Sequence, residues 1–280
     1  MTEDPVTPSQ EGSGSRMGAR AASAIGRSRT VRFALIAAAL VAGPLLGILL
    51  ITKIGPAILW LESPDSGPFW LSLRVALIAT ALAGTAGLGA GYLLAKKRFP
   101  GRDLLEAIGS VPIILPPTVL GYYLLQLLGD GNFAGRALTR LIGRPIVFTV
   151  TGCVVAASIA AFPFCMRAAR AAIEGVDPRL EQAARAMGLP AWRVALQVTV
   201  PLARRGIAAG VTLGGMRALG EYGATLMVGG NIPGSTRTMS LAVADARSTS
   251  ETHTLVLILV CMALAALAVI SRLGRSRRTA

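Results

Sequence analysis

Long apolar stretches alternate with short polar segments along this 280-residue chain. Six of the stretches approach or exceed the roughly 20 residues that a helix needs to cross a bilayer. They lie at 33–51, 70–95, 104–128, 146–166, 201–229 and 255–270. The pattern predicts an all-α, polytopic transmembrane helical bundle of six spans, forming one membrane domain over 33–272 with no room for a sizeable soluble domain.

The distribution of charge orients this predicted bundle. The chain has 28 Lys and Arg against 14 Asp and Glu, a net charge of +14, and most of the cations fall in alternate polar segments. This is the positive-inside pattern, which predicts that both termini are cytoplasmic. It also predicts that these cations contact membrane lipid rather than nucleic acid. Residues 1–32, rich in Ser, Gly and Arg, are predicted to form a disordered basic cytoplasmic tail, and 273–280 a second cytoplasmic tail.

Candidate catalytic chemistry is sparse in this sequence. Cys153, Cys165 and Cys261 all lie within apolar stretches, where thiols pack as small hydrophobic groups. His253 is the only histidine, so it cannot build a metal site alone. The sequence has no HExxH or GxSxG motif, and no GxxxxGK followed by Ser or Thr with which to bind ATP. We therefore expect no catalytic site, no metal and no cofactor in this chain.

The segment 177–200 is a polar helical stretch between the fourth and fifth predicted spans. Asp177 suits an N-cap, Gly188 suits the end of a helix, and Pro201 suits the start of the next span. An apolar stripe at helical spacing lies between the caps and consists of Leu180, Ala183, Ala184 and Met187. The pattern predicts a helix, a sharp turn and a second helix in a cytoplasmic loop. An amphipathic helix lying on the bilayer surface is the alternative.

This segment resembles the EAA loop of ABC importer permeases. The resemblance lies in Gln182-Ala183-Ala184, in Gly188 after three intervening residues, and in the Val-Pro pair that ends at Pro201. Gln182 stands where the family usually has Glu, and Glu181 precedes it; Val198 and Val200 replace Ile and Leu. The resemblance implies a type I, binding-protein-dependent permease of the cell inner membrane with the ABC type-1 transmembrane fold.

The same resemblance implies partners and a docking site. The cytoplasmic coupling helix would dock into a groove on an ATP-binding cassette ATPase subunit, and ATP and Mg would bind to that partner. The residues that would couple to the ATPase are Glu181, Gln182, Ala183, Ala184, Met187, Gly188 and Pro201. An extracytoplasmic binding protein would deliver the substrate, and the permease would be a homodimer.

Two features of the spans indicate a translocation pathway. Pro116 and Pro117 interrupt the third span, and such breaks occur at membrane depth where they face protein or a wet cavity. Arg217 and Glu221 stand four residues apart in the fifth span, where opposite charges are costly unless paired or hydrated. A kink unrelated to transport and a purely structural ion pair are the alternatives.

Small residues recur every four positions in the fifth predicted span. They are Gly206, Gly210, Gly214 and Ala218, which leave one side of the helix nearly bare backbone. This stripe predicts close packing against another helix, and we expect that helix to be its copy in a second subunit.

Three further stretches point to a substrate class. GEYGA at 220–224 and NIPGSTRT at 231–238 are similar to segments of molybdate permeases, and LPPTVLGYY at 115–123 resembles the third helix of molybdate and sulfate permeases. The resemblance implies import of a tetrahedral oxyanion, molybdate or tungstate, with sulfate or thiosulfate as the alternative. A bend rich in Gly and Thr offers N–H and O–H donors that suit such an anion. We therefore add Tyr222, Thr225 and Asn231 to the predicted pathway, with a plain re-entrant turn as the alternative.

Two other classes of function would need other features. An ion-coupled secondary carrier would have related halves, and the sequence shows no obvious internal repeat. An intramembrane enzyme would need a nucleophile and base, or metal ligands, inside the spans.

Overall fold

The computed structural model describes residues 67–274, and every regular element in that range is helical. In chain order the helices are α1 (Pro68–Lys96), α2 (Arg102–Ile114), α3 (Pro117–Leu128), α4 (Phe133–Ile142), α5 (Val150–Glu174), α6 (Pro178–Ala186), α7 (Ala191–Val194), α8 (Val200–Leu219), α9 (Gly223–Gly229), α10 (Met239–Ala244) and α11 (Thr249–Gly274). A wider π-helical turn, Ala195–Thr199, joins α7 to α8. The predicted tail at 1–32 and the predicted first span at 33–51 lie outside the described residues.

The centre of the fold is α5, which packs against both α1 and α8. Its sequence is dominated by Ala, Val and Cys, and its buried positions occur on every side of the helix. Glycines on the neighbouring helices bring backbones together: a methyl group added to Gly91 of α1 would lie 2.7 Å from the carbonyl oxygen of Met166. A Cβ never approaches an atom that closely, so only glycine permits this contact. The GxxxG pair at 87 and 91 is therefore a helix-packing motif.

The stripe of small residues on α8 contacts α5 of the same chain. A methyl group added to Gly206 would lie 2.5 Å from Ala172, and one added to Gly214 would lie 2.5 Å from the Cys165 sulfur. The prediction of close packing is confirmed, but the expected partner was wrong. Because α5 covers this stripe, it is not open to a second copy of the chain.

The third predicted span, 104–128, is a bent pair of helices. The axes of α2 and α3 differ by 113° at a break of two residues. Pro116 is the N-cap of α3 and Pro117 its first residue, where a missing N–H costs nothing. The predicted interruption is therefore present. It is a sharp corner between two helices, although the apolar pattern alone indicated one continuous stretch.

Other predicted spans differ from the helices in their ends. The fourth, 146–166, is α5, which begins later and continues to Glu174. The fifth, 201–229, is two helices, because α8 ends at Leu219 and α9 starts at Gly223. Within 67–274, α1 and α5 are long and apolar enough to cross a membrane, and the bent pair α2–α3 makes a third if it is counted as one span. The count of six spans stays a prediction.

Candidate functional site

The segment 177–200, which we call the coupling turn, has the predicted helix–turn–helix form. The side chain of Asp177 caps α6 by accepting a hydrogen bond from the backbone N–H of Arg179 at 2.9 Å. Gly188 has φ +85°, a left-handed conformation that glycine adopts without strain. The N–H of Leu189 then reaches back to the carbonyl of Ala184 at 3.3 Å, which closes the end of the helix. The caps read from the sequence therefore set the shape of this turn.

One face of the coupling turn is apolar and exposed. Its large side chains are Leu180, Met187, Trp192 and Leu196, and Met187 is 76% exposed. Gln182, Ala183, Gly188 and Pro201 are exposed as well. The guanidinium of Arg193 lies 5.1 Å from the centre of the Trp192 ring. We call these exposed residues the outer face of the coupling turn.

Ala184 does not belong to that outer face, contrary to its place in the predicted set. Its side chain is 3% exposed and lies on the inner side of α6. Helical spacing put it on the same stripe as Ala183, but the two are adjacent residues and point in directions about 100° apart. Ala184 is therefore enclosed by the bundle, whereas Ala183 and Met187 are exposed.

Glu181 is the second predicted docking residue that lies inside, at 6% exposure. Its Oε1 lies 2.7 Å from the ammonium of Lys96 and accepts a hydrogen bond from the Thr199 hydroxyl at 2.6 Å. Burial alone raises the pKa of the Glu181 carboxyl, but the hydrogen bonds from Lys96 and Thr199 and the charges of Lys96 and Arg185 outweigh it, so the pKa lies below its usual value. The carboxylate is ionised at neutral pH. Lys96 and Thr199 are not among the predicted residues, because no local spacing links them to Glu181.

The predicted pair of Arg217 and Glu221 is present at the break between α8 and α9. Arg217 lies in the last turn of α8, but Glu221 lies just beyond its end, so the two do not share a helix as predicted. Glu221 is 2% exposed, and its Oε1 accepts a hydrogen bond from the backbone N–H of Ala224 at 2.7 Å. Its backbone carbonyl accepts one from Ser240 at 2.7 Å. Glu221 therefore both pairs with Arg217 and fixes the first turn of α9.

The break after α8 lies against the corner between α2 and α3. A methyl group added to Gly223 would lie 2.8 Å from Pro117, and one added to Gly121 would lie 2.7 Å from the Cα of Ala224. The structure thus brings the proline corner close to the segment that holds Glu221 and Thr225. Thr225 is buried, whereas Pro116, Pro117 and Tyr222 are exposed.

The bend that follows α9 uses its polar groups internally. The Thr236 hydroxyl donates to the carbonyl of Gly229 at 2.7 Å and accepts from the N–H of Ile232 at 2.9 Å. Asn231, at φ +51°, accepts a hydrogen bond from Arg237 at 3.2 Å, and Arg237 also pairs with Asp245 at 2.8 Å. The polar groups of this bend were predicted to suit an oxyanion. In the structure these hydrogen bonds stabilise the bend itself.

A cavity of about 440 Å³ lies between α1 and α8. Its polar side chains are Thr80, Thr85 and Thr212, and each hydroxyl donates to a carbonyl of its own helix. The lining is otherwise apolar and includes none of the predicted pathway residues. An oxyanion needs free donors or cations, so this cavity is unsuited to one.

Comparison with known proteins agrees with this geometry. The chain is 42% identical over 183 residues to the Molybdenum transport system permease protein ModB of Escherichia coli (strain K12), covering 65% of this chain and 80% of that protein. It is 40% identical over 173 residues to the protein of that name from Haemophilus influenzae, covering 62% and 76%. The Sulfate transport system permease protein CysT of Escherichia coli (strain K12) is 33% identical over 173 residues, covering 62% of each chain.

The fold also has solved counterparts. A structure described as an inward facing conformation of the MetNI methionine ABC transporter matches with a TM-score of 0.60 at 19% identity, covering 78% of this chain and 97% of that one. An amino acid ABC transporter solved with histidines matches with a TM-score of 0.53 at 18% identity, covering 82% and 98%. At these identities the likeness shows the fold alone.

Together the helical architecture and these relatives place the chain among the membrane subunits of ABC transporters. The chain belongs to the family described as binding-protein-dependent transport system inner membrane component, whose model matches residues 87–276. The predicted family is confirmed. The chain is a transport subunit rather than an enzyme, and the family places it in the inner membrane.

Proposed function

We propose that this chain is the permease subunit of an ATP-driven importer of molybdate. The observation that carries the proposal is the 40–42% identity to molybdenum transport permeases, against 33% to a sulfate transport permease. Tungstate, which has the same tetrahedral shape and charge, is a second substrate in this account.

The proposed subunit has six spans with both termini in the cytoplasm, and two copies form the translocation pathway. ATP-binding cassette ATPase subunits dock on the outer face of the coupling turn through Gln182, Ala183, Met187 and Gly188. These residues are exposed beside large apolar side chains, which is the composition of a protein-binding surface. ATP and Mg bind to the ATPase, and an extracytoplasmic binding protein delivers the anion.

In this proposal the pathway runs past the break between α8 and α9. Arg217 supplies the positive charge, and its side chain is 26% exposed while its partner Glu221 is fully enclosed. Tyr222, Pro116 and Pro117 are exposed at the neighbouring corner. Thr225 and Asn231 support the walls of the pathway, because the former is buried and the latter is engaged with Arg237.

The test is reconstitution of the chain in vesicles with and without its ATPase and an oxyanion-binding protein. We expect uptake of labelled molybdate that requires ATP and all three components. Excess tungstate should compete, and excess sulfate should compete weakly. Uptake without the ATPase would indicate an ion-coupled carrier instead, and stronger competition by sulfate than by tungstate would indicate a sulfate permease.

A further inference from the structure

Three side chains from three elements meet where the coupling turn contacts the bundle. Lys96 is the last residue of α1, Glu181 lies in the first turn of α6, and Thr199 is the last residue of the π-helical turn before α8. We call this group the inner clamp. It is the point at which α6 of the coupling turn is tied by polar contacts to α1 and to the N-cap residue of α8.

The contacts of the inner clamp converge on one oxygen atom. Oε1 of Glu181 lies 2.7 Å from the Lys96 ammonium and 2.6 Å from the Thr199 hydroxyl. The other oxygen, Oε2, lies 3.8 Å from a guanidinium nitrogen of Arg185. A single carboxylate therefore bridges α1 to the start of α8, and α6 cannot shift against either helix without lengthening one of these contacts.

The inner clamp faces away from the surface that a partner would contact. The Glu181 side chain is 7% exposed and the Lys96 side chain 20%, whereas Gln182 and Met187 project outward. A buried carboxylate left without its cation is strongly unfavourable, so the pair persists as the turn moves. The same burial keeps the Glu181 carboxylate off the exposed surface of the turn.

We propose that Glu181 is a positioning residue that couples movement of the coupling turn to α1 and α8, rather than a contact to the ATPase. This inference rests on the proposed function. When the docked ATPase displaces the outer face, the inner clamp makes α1 and α8 follow as one body, and α8 carries the movement to the break at Glu221. Without the inner clamp, α6 moves and α1 and α8 follow it incompletely.

The experiment measures ATP hydrolysed per molybdate imported in vesicles that contain the complete transporter. Glu181→Gln keeps the size of the side chain and its acceptor oxygen, and Lys96→Met removes the opposite charge. Each should leave the ATPase attached and hydrolysing, while the ATP-to-molybdate ratio rises at least threefold. The E181Q/K96M double variant should resemble the worse single variant, because one interaction is lost in all three.

Three controls distinguish coupling from a merely structural role. Lys96→Arg keeps the charge and should keep the wild-type ratio, and Lys97→Met removes a neighbouring exposed charge and should do the same. Thr199→Val, which removes one hydroxyl at constant shape, should raise the ratio less than Glu181→Gln. It replaces the charge variants in the test if their permease yield is too low to assay.

Two results would overturn the inference. One is a wild-type ratio in Glu181→Gln or, if the permease yield of that variant is too low to assay, in Thr199→Val. The other is loss of the ATPase from the Glu181→Gln complex at unchanged permease yield, since that would make Glu181 a docking contact. Failure of the wild-type transporter to import molybdate would instead contradict the proposed function, so the two failures are distinguishable.

Discussion

Two buried glutamates lie near the two ends of α8, and they hold different parts of the molecule. Glu181 meets Thr199 where α8 begins, and it also pairs with Lys96 at the end of α1. Glu221 follows the other end of α8; its carboxylate pairs with Arg217 and accepts a hydrogen bond from the N–H of Ala224, both within four residues of it, and its backbone carbonyl accepts one from Ser240. Both carboxylates are nearly enclosed, and each is paired with a cation that is only partly exposed.

The difference indicates separate roles for the two ends. A contact network that spans several elements transmits displacement, since moving one element requires the others to follow. A local network shapes one short segment, here the break between α8 and α9, which lies beside the proline corner. Breaking the first should uncouple the transporter, and breaking the second should damage the pathway itself.

The largest expected effect is that of Arg217→Met. This change leaves the Glu221 carboxylate, 2% exposed, without its cation, which costs on the order of 3 kcal/mol. We expect molybdate uptake to fall at least tenfold while the ATPase still copurifies with the permease. Molybdate uptake in vesicles checks the first expectation, and copurification of the ATPase with the permease checks the second.

The double variant R217M/E221Q is the matched control, because it removes both charges. We expect stability to recover and uptake to stay low, as the pathway still lacks its cation. Recovery of uptake in the double variant would make the pair structural, and wild-type uptake kinetics in Arg217→Met would remove the residue from the pathway.

A smaller effect is expected from Gly188→Val in the coupling turn. A methyl group added to Gly188 meets nothing within 4 Å, so the whole penalty comes from φ +85°, about 1–2 kcal/mol for an L-residue and more for a β-branched one. Val should change the angle of the turn and raise ATP use per molybdate. Gly188→Asn should preserve coupling, since Asn tolerates this conformation. Equal coupling ratios in the two variants would refute the role of the backbone angle.

Local signals predicted the coupling turn and the first described span closely. The caps at Asp177 and Gly188 and the apolar length of 70–95 depend on neighbours in sequence, and α1 covers Pro68–Lys96. The fourth apolar stretch ends at 166, next to the first charged residues, but the helix does not end there. The helix continues to Glu174 since Arg170 pairs with Glu106 and Glu174, and these ion pairs satisfy the charges within the helix and against α2.

What the sequence could not predict depends on tertiary contacts. The apolar pattern over 201–229 gives no sign of the break at 220–222, where the Glu221 carboxylate accepts a hydrogen bond from the N–H of Ala224 in the first turn of α9. The spacing of four residues revealed the pair of Arg217 and Glu221, but nothing local links Lys96 to Glu181. Likewise, small residues at 206–218 predict close packing without saying which helix, and the structure shows α5 there.

The most direct test of the account is cross-linking of the coupling turn to the ATPase. Met187→Cys and Ala184→Cys place a thiol on the outer and inner sides of the same helix end, in a background where the exposed Cys261 is replaced by Ser. In the assembled transporter, the account predicts that Cys at 187 captures the ATPase and Cys at 184 does not. Absence of capture at 187, or equal capture at both positions, would contradict it.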